Sequence, residues 1–290
     1  MTRRRGDEKR SGLSRRVSAS PRLRVPVITL LTDFGTADYF VGAMKGVILS
    51  INPEAVIVDI THEVAPQDVR EGAFTLGAAC VSFPARTIHV AVVDPGVGSA
   101  RRGLLVAGAG QYFVGPDNGL FSFVYERDPG ARVFELTNEK YFGPKVSKTF
   151  HGRDIFAPVA AALSTGVAPE EFGEEINDYV RLPDLKPRRV SGGTIEAAII
   201  HIDRFGNCVT NLTPAELDEE MIAAGARLTV NGREITSFRS FFSEGGDSPA
   251  ELFAIWGSAG YLEIAANRAR AATLLNAERG QIIKVLSTEC

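Results

Sequence analysis

The 290-residue chain has little of what a covalent framework or a metal centre needs. Its three cysteines, Cys80, Cys208 and Cys290, are far apart and odd in number. That pattern argues against a disulfide framework or a zinc site and fits a reducing cytoplasm. Four histidines with no HxxxH or CxxC pair give a transition-metal site no support, so no metal is expected. No apolar run reaches the length of a membrane span. The net charge of −3 gives no reason to expect nucleic acid or an anionic membrane as partner. The chain also lacks the G-x-G-x-x-G fingerprint, a Walker loop and a G-x-S-x-G elbow, so common dinucleotide, P-loop and nucleophile-elbow chemistry are not indicated.

What is present describes a globular protein of about two domains by length. Hydrophobic residues at 44% and charged residues at 23% are enough for a large core. Residues 1–26 stand apart: nine arginines and lysines face only Asp7 and Glu8, and the apolar residues have no period. This segment reads as a disordered basic extension, with an Arg/Ser-rich organellar leader as the weaker alternative. Without it the remainder is clearly more acidic than the whole.

The chain is organised around IHVAVVDPGVGSARR, residues 88–102. Residues 88–93 are a nearly continuous apolar, β-branched run, the pattern of a strand buried on both faces. It ends at Asp94-Pro95-Gly96, where open α/β sheets place their ligands, and Arg101 and Arg102 return cations to the same end. A strand-ending aspartate that only caps its own turn is the equally weighted reading. Residues 27–31 form a first buried strand ending near Asp33, with Asp38 as expected N-cap of a helix whose apolar face is Phe40, Met44, Val47, Ile48 and Ile51. A strand over 55–60 completes a βαβ unit. Asp68 with Glu71 reads as a capping box opening a helix to about Val81. A hairpin over 103–107 and 111–114, a turn at Gly115 to Gly119, and a strand over 132–136 follow. Asp117 and Asn118 read as turn residues. His151 stands just before an apolar helix over 155–164, in which Pro158 is tolerated only in the first turn. A functional His151 and a structural one weigh about equally on this pattern.

The division expected is an N-terminal α/β domain over 27–182 with a mainly parallel sheet, a linker over 183–192, and a smaller β-barrel-like domain over 193–290. In that second domain the stretches at Asp203 to Asn207 and Trp256 to Tyr261 read as hairpin turns on composition alone.

In order, the strings LLTDFGTADYFVGAMKGVI, VDITHEV, VVDPGVGSARR, VGPDNG, SKTFHGRDIFAPVAA and IDRFGN closely resemble the S-adenosylmethionine hydroxide adenosyltransferase family, relatives of the fluorinase and chlorinase enzymes. The resemblance covers about residues 27–286. It implies an α/β domain joined to a β-barrel, and a homotrimer with active sites between subunits. It also implies hydrolysis of S-adenosyl-L-methionine to adenosine and L-methionine by water or hydroxide at ribose C5′, with no cofactor. The family's water-handling set falls on Asp94, Arg101 and His151. The halogenases lack that set and carry a serine where this chain has Gly152. Asp33 matches the ribose-diol carboxylate and Asp38 a second ligand residue. Asp203 and Asn207 match residues on the methionine and adenine side, and Ser258 a serine near the methionine carboxylate. Ala259 departs from the arginine that follows this serine in the halogenases. A non-catalytic adenosine or S-adenosylmethionine binding protein and a halide-using adenosyltransferase are the alternatives.

Overall fold

The structure is a computed structural model that describes residues 27–183, 186–190, 193–246 and 248–286. The basic segment 1–26 lies outside the described residues, as do positions 184, 185, 191 and 192 of the expected linker.

The first sheet carries seven strands: β1 (Val27–Thr32), β2 (Val56–Thr61), β3 (Ile88–Val92), β4 (Gly103–Gly108), β5 (Gln111–Pro116), β6 (Arg132–Glu135) and β7 (Glu175–Ile176). Their order is β2-β1-β3-β5-β4-β6-β7. The β2, β1, β3 and β5 strands are parallel, whereas β4 runs antiparallel to both β5 and β6. Every residue of β3 is buried, as its unbroken apolar run requires. Alternation along β1 sends Leu30 to one core and Leu31 to another. Helices α1 (Phe40–Ile51) and α2 (Val69–Cys80) therefore cover opposite faces, Met44 and Ile48 on one side and Leu76 on the other. Strand β1 is thus a switch point, flanked by neighbours whose connections leave to opposite faces. Such points open a crevice at the carboxyl ends of the strands.

Two local expectations need correction. Asp38 does not cap α1: Tyr39 takes the N-cap position with no side-chain bond, and Asp38 stands exposed one residue earlier. The helix begins one residue too late for the Asp38 carboxylate to meet its free amides. The helical segment after His151 is also longer than the apolar run. It opens with a π-turn (Gly152–Phe156) that passes into α4 (Ala157–Ser164). Pro158 has no N–H for the carbonyl four residues back. That carbonyl, of Asp154, instead accepts a bond from the Gly143 N–H at 2.7 Å. By contrast Asp68 caps α2 as its spacing predicts, accepting from the Glu71 N–H at 2.9 Å, while Glu71 reaches back to the Ala65 N–H. The six-residue helix α3 (Ser122–Arg127) was hidden behind the turn that precedes it.

The second sheet is nine-stranded and curls as a half-barrel. Its strands are β8 (Arg188–Arg189), β9 (Ile195–Ile202), β10 (Cys208–Thr210), β11 (Arg227–Val230), β12 (Arg233–Ile235), β13 (Phe238–Arg239), β14 (Leu252–Trp256), β15 (Leu262–Ala266) and β16 (Ile282–Leu286). All pairings are antiparallel except β13 with β14. Ile199, Leu228, Ile264 and Ile283 fill its core. The two sheets meet where Phe74 of α2 stacks on His201 of β9, ring centroids 4.8 Å apart, and where Arg279 pairs with Asp68 and Glu71. A cleft of about 780 Å³ runs along this contact, lined by Phe74, Phe123, Leu182 and Tyr261 among others. None of the eight site residues selected from sequence lines it. Among the described residues no helix is long and apolar enough to cross a membrane.

Candidate active site

Asp33 and Asp94 follow the carboxyl ends of β1 and β3, which are adjacent and parallel. Past β3 the chain turns at once: the Val97 N–H bonds to the Asp94 carbonyl, and Ser99 bonds to the Gly96 carbonyl through both N–H and Oγ. This turn folds Arg101 back onto Asp94. Its Nε–H donates to Asp94 Oδ1 at 2.9 Å and Oδ2 at 3.0 Å, and Nη2 makes a further close contact with Oδ2. The pair is largely withdrawn from solvent, with 4% of the Asp94 side chain and 11% of the Arg101 side chain exposed. The Arg101 guanidinium carbon lies over the Phe156 ring, 5.2 Å from its centroid.

Arg101 Nη2 also lies 2.9 Å from His151 Nδ1. A guanidinium only donates, so Nδ1 is the acceptor and the proton of the neutral ring sits on Nε2. Burial, and next the Arg101 cation, hold the His151 pKa below its ordinary value, against the opposing pull of Asp94 and Asp154. The segment carrying His151 is folded by its own motif. Asp154 accepts from the Ser147 N–H at 2.8 Å and from Arg153 Nε at 2.6 Å, and Ser147 Oγ accepts from the Phe150 N–H. Burial would raise the Asp154 pKa, but these bonds hold it below the usual carboxylate range. Gly98, at φ +77°, lets the Asp94 turn press on this segment: a Cβ there would sit 2.1 Å from the Lys148 carbonyl oxygen.

Asp33 is held separately. Its Oδ2 accepts from the Gln67 N–H at 2.7 Å, and Gln67 adopts φ +66° to present it. Thr32, just before Asp33, accepts from the Phe34 N–H and lies 2.9 Å from His62 Nδ1, so His62 braces the same turn. Asp38 is exposed beyond this turn.

The second-sheet residues form their own group. Asp203 Oδ1 accepts from the Asn207 N–H at 2.8 Å and Oδ2 from Asn207 Nδ2 at 2.9 Å, closing the β9–β10 turn. Ser258 lies in the β14–β15 turn, exposed. Among the described residues no hydrogen bond or ion pair joins this group to Asp94, Arg101 or His151, so the structure brings together the Asp-Arg-His set but not the full eight. Sequence reasoning passed over Glu263, whose carboxylate rests against Gly257, leaving no room there for a Cβ. Burial and then Asp203 raise its pKa. The strand alternation of YLEIA places it on the face away from the core residues Leu262 and Ile264, and only the β10–β15 pairing brings it towards Asp203. Phe156 was likewise unmarked, being one apolar residue in an apolar run. Among the described residues no three His, Cys, Asp or Glu side chains group as metal ligands.

A buried Asp-Arg-His set beside a sheet switch point, on a chain that joins this sheet to a half-barrel with polar turns, marks a two-part α/β protein of a class that binds small molecules. The family model described as SAM hydroxide adenosyltransferase N-terminal domain matches residues 28–173, and that of the C-terminal domain matches residues 197–284. The chain belongs to the SAM hydroxide adenosyltransferase family. It is 37% identical to an (R)-S-adenosyl-L-methionine hydrolase of Methanocaldococcus jannaschii, covering 90% of this chain and 95% of the relative. A Salinispora tropica protein of the same name is 39% identical, with coverages of 90% and 97%. A fluorinase of an Actinoplanes species is 30% identical, again at 90% and 97%. A crystal structure of an uncharacterized conserved protein from Thermotoga maritima superposes with TM-score 0.81 at 38% identity, covering 89% of this chain and 99% of that one.

Proposed function

We propose that the protein hydrolyses S-adenosyl-L-methionine to adenosine and L-methionine, with water or hydroxide attacking ribose C5′. The relatives are named for the (R)-sulfonium epimer, and we take that epimer as the preferred substrate. The observation that carries the reading is the bond from Arg101 to His151 Nδ1 beside the Asp94–Arg101 pair. It leaves His151 Nε2–H as a donor that can hold an attacking oxygen. With Nε2 protonated, the acceptor left in the set for the proton of that water is Asp94. Arg101 supplies positive charge against developing hydroxide character. The sulfonium leaving group is itself a cation, so attack by hydroxide cancels opposite charges, a step favoured in a site withdrawn from water. That built-in activation is why the reaction needs neither metal nor cofactor.

Asp33 and Asp38 are assigned to the nucleoside end of the substrate, with Asp33 taking the ribose diol through paired bonds. Asp203, Asn207 and Ser258 are assigned to the methionine and adenine side. The working unit is a homotrimer in the cytoplasm, with each site formed between the first sheet of one subunit and the second sheet of the next. Two features support that assembly: the separation of the two residue groups within one chain, and the exposure of Phe205, Phe241 and Phe242 on the second domain.

The test incubates the purified protein with each sulfonium epimer in ¹⁸O-water, with and without chloride. Adenosine carrying ¹⁸O, formed in step with methionine, is the expected result. Substrate unchanged with either epimer would overturn the hydrolytic reading in favour of a binding protein. Chloride-dependent 5′-chloro-5′-deoxyadenosine would overturn it in favour of halide transfer.

A further inference from the structure

The sheet order carries a consequence for how the Asp94–Arg101 pair is built. Asp94 follows β3 and Arg101 precedes β4, yet these strands are not neighbours: β5 lies between them. The connection over 93–102 must therefore cross the carboxyl end of β5, where the Gly115-Pro116-Asp117-Asn118-Gly119 turn emerges. That turn is bonded to both sides of the connection.

On the β3 side, Asn118 Nδ2 donates to the Val93 carbonyl at 2.8 Å, one residue before Asp94. On the β4 side, the Asp117 N–H donates to the Arg102 carbonyl at 2.9 Å. The same carbonyl accepts from Arg101 Nη1 at 3.2 Å. The Asp117 carboxylate, itself buried, takes Arg102 Nε at 3.0 Å and Nη2 at 2.8 Å through Oδ2, and the Val180 N–H at 2.8 Å through Oδ1. Arg102 is fixed further by Asp178.

We propose that Asp117 and Asn118 are positioning residues for the reaction: they tie the two strand ends together across β5 and so set how Asp94 and Arg101 face each other and His151. This rests on the hydrolytic reading above, and it gives the turn a role that its composition did not suggest. A turn needs only its internal bonds. Here Asn118 Oδ1 takes the Leu120 N–H at 3.2 Å and closes the turn, leaving Nδ2 for the Val93 carbonyl. The two functions of one side chain are therefore separable.

Asn118→Ser separates them. A serine hydroxyl can still close the turn but is too short to reach Val93. The expected result is a fall in kcat of about tenfold or more with KM within about twofold, the split left by an interaction that matters in the transition state. The second readout needs no turnover. In protein labelled with ¹⁵N-arginine, the Nε–H signal of Arg101, identified by its loss in Arg101→Lys, is protected by its bonds to Asp94. Its exchange with solvent is expected to quicken about tenfold or more in Asn118→Ser. Asp117→Asn, which keeps size and the acceptor for Val180, is the second variant should Asn118→Ser fail to fold, with the same two readouts.

An unchanged kcat in a folded variant overturns the proposal whatever the signal does. A fall in kcat with unchanged Arg101 exchange overturns it as well, because the effect then reaches activity by another route. If the wild-type protein turns over neither sulfonium epimer, the hydrolytic reading fails, and the exchange measurement alone decides whether the turn positions the pair.

Discussion

Arg101 donates to Asp94 and to His151 through the same nitrogen, Nη2. One guanidinium therefore fixes the orientation of a carboxylate and the tautomer of an imidazole at once. Residues that act as such a unit lose most of their joint effect when either end is removed.

Removal of either end is the first check. His151→Ala and Asp94→Ala are each expected to lower turnover by about 10²-fold or more, the usual scale for groups that handle a proton in the transition state. Asp94→Ala also leaves Arg101 without its partner in a largely buried place, so Asp94→Asn, which keeps the shape, is the companion variant. Near-normal kcat in both His151→Ala and Asp94→Asn, read by methionine release, would sink the assigned roles.

The direction of the His151 shift sets the pH dependence. Its pKa lies below the ordinary 6.5 because of burial and then Arg101. Protonation would put an N–H on Nδ1 opposite the Arg101 donor and break their bond. Turnover is therefore level above pH 6.5 and falls as pH drops through the lowered midpoint. The check is kcat/KM across acid and neutral pH. An acid limb centred at about pH 7 or higher would contradict the arrangement.

Gly98 tests the contact between the Asp94 turn and the His151 segment. Gly98→Ala places a methyl 2.1 Å from the Lys148 carbonyl oxygen on a backbone at φ +77°. Something must move, at a cost of about 2 kcal/mol or more. A lowered denaturation midpoint together with reduced turnover is expected, because the movement separates Arg101 from His151. Wild-type stability and turnover would show that the turn does not press on that segment.

His89 tests the core rather than the site. It is buried in β3 beside Phe113, its Nδ1 2.7 Å from Thr29 Oγ1, and burial pushes its pKa down to about 4. The folded value is below the unfolded 6.5, so the unfolded chain takes the proton first. This contribution to stability is complete above pH 6.5 and is lost as pH falls towards about 4, amounting to about 3 kcal/mol. Urea unfolding at several pH values checks it: His89→Asn should flatten the profile over that interval, and an unflattened profile would refute the assignment.

Much of the first domain was legible in the chain. The run over 88–93 is apolar at almost every position because β3 is buried on both faces, and the Asp68–Glu71 spacing marks a cap because a helix start needs one there. The short elements were not legible. Strand β10 has three residues and helix α3 six, too few for a period to emerge. The pattern predicts an Asp38 cap that the fold does not form, because a one-residue displacement of a helix start leaves no trace in composition.

The buried strands, the carboxylates at their ends and the family follow from local pattern and from the order of motifs. The motifs also single out Asp94, Arg101 and His151. That Arg101 joins the other two, that a proline-displaced carbonyl is met by Gly143, and that Asp117 and Asn118 bond to both sides of the pair emerge only when the chain is folded. The last of these depends on β5 lying between β3 and β4 in the sheet. Strand order arises from packing among segments distant in the chain, and no local stretch of residues encodes it.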